Sequence, residues 1–264
     1  MDGTGTEDLK DVFLTPTLEG TKQILTSIQK VAPQVTDVVM TSSMQAIVPD
    51  HTALKEPKEF TAKDWTTGDW DKDVGNDRTK AYTLSKAYSE RAAWQFVKEN
   101  KVNFKLSTVL PSLIIGPQLF ESQVANQVNL SNHIVISVPN MVKFDSTEYA
   151  NAPFFPTVDV KDIVNFHILA FENEKLRGER IMVSQKHLMT AQHVLDFLNK
   201  TYPQLKSKIP KGDPAGKPSG LALSTCNLDD HLEAANYKLV SIEDALKRLF
   251  DQYLKFHSLD PSEN

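Results

Sequence analysis

"VTDVVMTSSM", Val35 to Met44, is the stretch on which the fold turns. It is a β-branched apolar run that closes on the small hydroxyl residues Thr41, Ser42 and Ser43, so it reads as a buried strand with a polar C-terminal end. Downstream, Lys80 to Asn100 sets Ala81, Leu84, Tyr88, Ala92 and Phe96 at steps of three and four, the period of an amphipathic helix. "FKLSTVLPSLIIGP", Phe104 to Pro117, alternates and then turns continuously apolar, as a second buried strand running into a loop does. Strand, helix and strand in that order imply a right-handed parallel crossover, and hence an α/β sheet.

The flanks fit this frame. Upstream, Leu14 to Val31 opens on Thr-Pro signals and carries Leu18, Thr21, Leu25 and Ile28 at helical spacing, until Pro33 ends the pattern. Pro49 to Thr79 is charged and broken by Pro and Gly, with Trp65 and Trp70 embedded in it; connections this long are usually functional or disordered. Past Gly116 the chain predicts a helix over Asp159 to Glu172, a short strand over Arg180 to Ser184, and a helix over Thr190 to Tyr202 with Thr190 as N-cap. Lys208 to Gly220 reads as a loop, and Ser241 to Phe256 as a closing helix with an S-x-x-D start at Ser241 and Asp244.

Bulk properties narrow the function. The 264 residues are 40% hydrophobic and 24% charged, with a formal net charge of -5, an ordinary globular composition. That mild acidity argues against non-specific nucleic-acid binding and against a basic membrane-surface protein. No apolar run approaches the roughly 20 residues of a membrane span, and Met1 to Asp11 is polar and acidic, so the expectation is a soluble, cytoplasmic protein. Cys226 is the one cysteine and reads as a packing residue. His187 and His193 lack the spacing of a helical metal pair, and no metal is expected.

Tyr82 and Lys86, in "AYTLSKAYSE", lie four apart and so share one helix face. A phenol ordinarily releases its proton near pH ~10, and a neighbouring ammonium favours the phenolate, which makes such a pair a candidate proton donor. Taken alone, the pair reads equally well as two polar residues on a solvated face. A second Tyr-x-x-x-Lys, Tyr202 and Lys206, has Pro203 inside it and reads as surface decoration. What favours chemistry at the first pair is its setting: hydroxyl residues Thr41 to Ser43 end the preceding strand, at the edge where ligands gather in open α/β sheets.

"VVMTSS", "AYTLSKAYSERAAWQF", "LPSLIIGPQLF" and "PTVDVKDIVNFHILAF" resemble, in order and spacing, the extended short-chain dehydrogenase/reductase family. The likeness is to its fungal branch of NADPH-dependent methylglyoxal and ketone reductases, relatives of the dihydroflavonol and cinnamoyl-CoA reductases. It continues through "ERIMVSQKHLMTAQHVLDFLNKTYPQL" and covers nearly all of the chain. The resemblance implies NADPH as cofactor and a small aldehyde or ketone as substrate. By it, Ser43, rather than Ser42, orients the carbonyl, Tyr82 donates the proton, and Lys86 tunes Tyr82 and holds the nicotinamide ribose. Pro111 and Ile114 fall where the family lines the nicotinamide pocket, and Ser131 matches another cofactor contact. Phe120, Phe154 and Phe155 are candidate pocket aromatics.

The chain also departs from the family pattern. Members open with a strand, a Gly-rich turn and a helix that bind the pyrophosphate. Here Gly3-Thr4-Gly5 lacks the third glycine, follows no strand and precedes Glu7 and Asp8. Glu19 and Leu110 stand where the family carries Asn. By comparison Met1 falls after the family's fourth strand, so the expectation is an incomplete Rossmann-like parallel sheet with its N-terminal strands missing. Residues 1–115 then form the triad-bearing remnant of the cofactor domain, and 116–264 a smaller, mainly substrate-binding α/β part. Val35 to Thr41 becomes an apolar sheet edge, which predicts marginal stability or self-association. Two functional readings follow: a carbonyl reductase, or a catalytically silent member or interaction protein that binds no cofactor.

Overall fold

The computed structural model describes residues 8–48, 56–141, 156–217 and 225–259. In chain order its first elements are α1 (Thr15–Val31), β1 (Asp37–Thr41), β2 (Glu59–Phe60), α2 (Trp70–Asp73), α3 (Arg78–Glu99), β3 (Lys105–Pro111) and β4 (Leu113–Ile115). There follow α4 (Glu121–Val124), α5 (Leu130–Ile136), α6 (Val138–Met141), β5 (Thr157–Asp159), α7 (Val160–Glu172) and β6 (Arg180–Val183). The remainder is α8 (Ala191–Thr201), β7 (Thr225–Cys226), α9 (Asp229–Ala235) and α10 (Ile242–Tyr253).

The strands β1, β3 and β6 form one parallel sheet in that order, with Thr41 beside Val109 and Pro111 beside Val183. This is the α/β crossover that the sequence implies. Period-two alternation sorts its side chains. Val38, Met40 and Leu106 face α1 and α3, packing with Leu25, Ala93 and Phe104. Val39, Val109, Ile181 and Val183 face α7, packing with Ile163, Phe166 and Ala170. Both faces are thus covered, but among the described residues β1 has no strand on its other side.

Beyond the sheet, β4 and β5 make a short parallel pair that leads into a second core. There α10 presents Ala245, Leu246, Leu249, Phe250 and Tyr253 at steps of one, three and four against Val194, Leu195 and Leu198 of α8. Helix starts follow their caps: Asp77 accepts from the Thr79 and Lys80 amides, which moves the start of α3 back to Arg78, and Ser241 accepts from Asp244 N at 3.1 Å. Among the described residues no helix is long and apolar enough to cross a membrane.

One expectation needs correction. Tyr202 is not surface decoration: it is buried, at 7% exposure, and its hydroxyl donates to Asp251 at 2.9 Å. Pro203 ends α8 at that point and leaves the ring against Phe197 and Phe250, while Lys206 alone stays at the surface. Leu110, which stands where the family carries Asn, is fully buried with Ala87 and Met182 on the α3 side of the sheet.

The packing predicts a contrast between two leucines. Leu106→Ala, in the α1–α3 layer, is expected to cost about 2–5 kcal/mol in urea unfolding. Leu130→Ala, at an exposed site, is expected to change stability by no more than about 0.5 kcal/mol.

Candidate active site

The sheet pairing of β1 runs out at the polar end of the strand. Ser42 N donates to Val109 O at 2.8 Å, the last rung, and the chain then turns into a single 3-10 turn, Met44–Ala46. Ser43 caps that turn with extended backbone, its Oγ accepting from Gln45 N at 3.2 Å. The hydroxyl proton of Ser43 is therefore left for another acceptor. Gln45 locks the turn in place: its carbonyl accepts from Thr66 Oγ1 at 2.7 Å, and its side-chain oxygen accepts from Thr83 Oγ1 of α3 at 2.9 Å.

On α3, Tyr82 is 41% exposed, with its ring edge-on to Phe13 at 6.4 Å. One turn later Lys86 is half-buried and its Nζ donates to the Thr41 carbonyl at 3.2 Å. Burial holds the Lys86 ammonium below the usual lysine range, and Glu90, a further turn along, opposes that shift. The structure thus connects Lys86 directly to the residue two before Ser43, and sets Tyr82 and Lys86 one turn apart on one helix.

Under this junction lies Glu90, 0% exposed. Its carboxylate accepts from Ser42 Oγ at 2.7 Å, Thr108 Oγ1 at 2.8 Å, Arg180 Nε at 2.8 Å and Trp94 Nε1 at 3.4 Å. The Arg180 guanidinium stacks on Trp65 at 3.6 Å and donates to the carbonyls of Ala62, Asp64 and Ala46. One buried ion pair therefore joins the serine turn, α3, β3, β6 and the 61–65 segment. Sequence reading missed both residues. The available signal was an acid two turns beyond Tyr82 on the side of α3 that also carries Ala87 and Ala93.

The remaining candidates lie on other elements. Pro111 ends β3 opposite Val183, buried at the same end of the sheet as Ser43. Ile114 of β4 lines a cavity of about 320 Å³ with Gly116, Gln118, Asn129, Asn132 and Val160. Gly116 has φ +127°, and a Cβ there would meet Val160 Cγ1 at 3.1 Å, so this corner needs glycine. Ser131 sits half-buried on α5, beside Asn132, whose side chain clamps both backbone groups of Gly116. A larger cavity, about 500 Å³, lies between α8 and α10 and includes none of these residues.

Phe120 is largely exposed, and Phe154 and Phe155 lie outside the described residues, as does Gly3-Thr4-Gly5. Glu19 is on the exposed face of α1, paired with Lys22. Cys226 is buried and its thiol is pushed up to about 11, which makes it a poor nucleophile at neutral pH.

No family model matches the chain. It is 37% identical over 209 residues to GRP2 of Candida albicans, covering 79% of this chain and 60% of that relative. It is 32% identical over 255 residues to the NADPH-dependent methylglyoxal reductase GRE2 of Saccharomyces cerevisiae, covering 95% of this chain and 73% of that one. The crystal structure of yeast methylglyoxal/isovaleraldehyde reductase Gre2 complexed with NADPH is similar with a TM-score of 0.81 at 31% identity, over 94% of this chain and 72% of that chain. The chain thus spans 60% of the first of these relatives and 73% of the second.

The Glu90 junction generates a stability prediction. Glu90→Gln keeps the side-chain shape but leaves the Arg180 guanidinium without its buried counter-charge, and is expected to cost about 3–5 kcal/mol. Urea unfolding measures it, with the exposed Glu172→Gln as a control expected within about 0.5 kcal/mol of the parent.

Proposed function

The chain belongs to the extended short-chain dehydrogenase/reductase family, in the branch of the methylglyoxal reductases, and from that premise we propose that it serves NADPH-dependent reduction of a small aldehyde or ketone. The observation that carries the reading is the Lys86–Thr41 contact. It ties the ammonium to the strand end that bears Ser43, with Tyr82 one turn away and open to solvent.

In this reading the free hydroxyl of Ser43 donates a hydrogen bond to the substrate carbonyl oxygen and holds it in place. Tyr82 delivers the proton that the developing alkoxide needs. Lys86, held against the Thr41 carbonyl, favours the phenolate that remains and can hydrogen-bond a ribose hydroxyl. NADPH, when bound, supplies the hydride. The exposed phenol and the fixed ammonium at the C-terminal end of parallel strands suit a nicotinamide ribose, with Pro111, Ile114 and Ser131 as the further contacts on that side. The described residues carry no Gly-rich turn between a strand and a helix, so no residue is assigned to the pyrophosphate. Residues from Gly116 onward supply the substrate selectivity in this assignment.

The test is NADPH consumption by the 264-residue chain with methylglyoxal or isovaleraldehyde, together with cofactor binding by tryptophan quenching. Tyr82→Phe is expected to lower kcat/KM by about 10²–10⁴ and to leave cofactor binding within a few-fold. Equal turnover by parent and variant overturns the assignment of Tyr82.

A second reading, an interaction protein rather than a reductase, is favoured by a different observation. The open edge of β1 adjoins a stripe of exposed apolar residues on α7, Val164, Ile168 and Phe171. At the two ends of that edge, Asp37 is matched by a two-pronged contact with Arg177 at 2.7 and 2.9 Å, and the Lys86 ammonium sits on the Thr41 carbonyl. The apolar residues Val38 to Met40 between them are left to pair with a second copy. Light scattering against concentration is expected to show association that Val164→Lys, on the exposed stripe, weakens; a concentration-independent monomer sinks this reading.

A further inference from the structure

We propose that His167, on α7, is a positioning residue for Lys86, acting through Thr41. The inference rests on the reading of Tyr82 and Lys86 as the reacting pair. It starts from the two nitrogens of one ring. His167 Nδ1 lies 2.8 Å from the Ile163 carbonyl, and a carbonyl can only accept, so Nδ1 carries the proton. In the neutral ring Nε2 is then the lone-pair nitrogen, and at 2.7 Å it accepts from Thr41 Oγ1. Both polar atoms of the ring are satisfied, and its tautomer follows from the geometry.

Thr41 is consequently gripped from both faces of the sheet. Its side chain follows Val39 in pointing to the α7 side, where His167 holds the hydroxyl. Its carbonyl takes the Lys86 ammonium, which arrives from α3 on the other side. Thr41 is the last residue of β1, exposed, and among the described residues supported laterally by β3 alone. That carbonyl belongs to the peptide whose other edge, Ser42 N, is held by Val109 O at 2.8 Å, so a shift of the strand end would break both contacts and release the ammonium to solvent. The His167 contact adds a second restraint on this residue, at its side chain, and so helps keep Lys86 within reach of the ring one turn before it. A histidine on α7 beside Val164 and Ile168, where an apolar residue would pack as well, is accounted for by this contact.

The experiment follows Lys86 rather than turnover, so that it stands apart from the test of the reductase reading. The Lys86 side chain is titrated by its ε-carbon NMR resonance in the full chain, in Thr41→Val, Thr41→Ser, His167→Phe and the Thr41→Val/His167→Phe double variant. Thr41→Val and His167→Phe are each expected to raise the Lys86 midpoint by roughly half a pH unit or more, because burial is the larger influence on Lys86 and the water regained outweighs the weakened carbonyl bond. Thr41→Ser, which keeps the hydroxyl, is expected to match the parent, and the double variant to shift no further than either single one. Nitrogen-15 spectra of the parent are expected to show the Nδ1-protonated tautomer at His167. An unmoved Lys86 midpoint in both single variants, with only a loss of thermal stability, reduces the contact to a staple between α7 and β1 and overturns the proposal. So does an Nε2-protonated ring. If the chain consumes no NADPH while Lys86 shifts as expected, the reductase reading fails and the tether stands.

Discussion

The buried carboxylate of Glu90 is the constraint from which the rest of the architecture can be read. An unpaired charge inside a protein is strongly unfavourable, so Glu90 is tolerable only while its donors stay in place: Ser42, Thr108, Arg180 and Trp94. Those donors come from the serine turn, the central strand, the neighbouring strand and the same helix. Each element must hold its register for the others to be satisfied. Arg180 extends the constraint outward, because its guanidinium stacks on Trp65 and takes up three backbone carbonyls of the surrounding loops. A network of this kind adds less to stability than to uniqueness, since a shifted strand leaves a charge unpaired.

The candidate chemistry is built on the far side of that network. Ser42 points inward to Glu90 and Ser43 is left to cap a short turn, so adjacent serines have opposite assignments through their hydrogen bonds alone. Along α3, Tyr82, Lys86 and Glu90 follow at intervals of one turn and pass from an exposed phenol, through a half-buried ammonium, to a fully buried carboxylate. The gradient has a physical consequence. Glu90 is held by its own donors and does not need Lys86, which leaves the ammonium to the Thr41 carbonyl at the strand end. The long connection between β1 and α3 contributes as well. Thr66 bonds the Gln45 carbonyl, and Gly68 accepts from the Tyr88 hydroxyl, so a stretch of unpromising composition braces the serine turn.

Much of this was legible in the order of residues, and the failures are instructive. The β-branched run at Val35, the apolar period of Lys80 to Asn100 and the continuous run at Phe104 each report backbone geometry directly, because side-chain period and secondary structure share one cause. The N-caps at Thr190 and Ser241 were legible for a similar reason: the bond spans three residues. Tyr202 was misread because its burial depends on α10, more than forty residues away, whose Asp251 receives the hydroxyl. The meaning of Glu90 was hidden likewise, since an acid on a helix looks solvated until the strands that carry Thr108 and Arg180 close over it.

By itself the sequence determined the α/β character, the parallel crossover, the pairing of Tyr82 with Lys86 on one helix face and the polar strand end that faces them. All of these follow from local period and spacing, which act over a few residues. Only the tertiary structure decided that Ser42 is taken up by Glu90, where the Lys86 ammonium rests, and that a histidine on α7 shares a threonine with it. Those outcomes depend on hydrogen bonds between residues 45 to 126 positions apart, and a one-dimensional pattern carries no record of partners at that range.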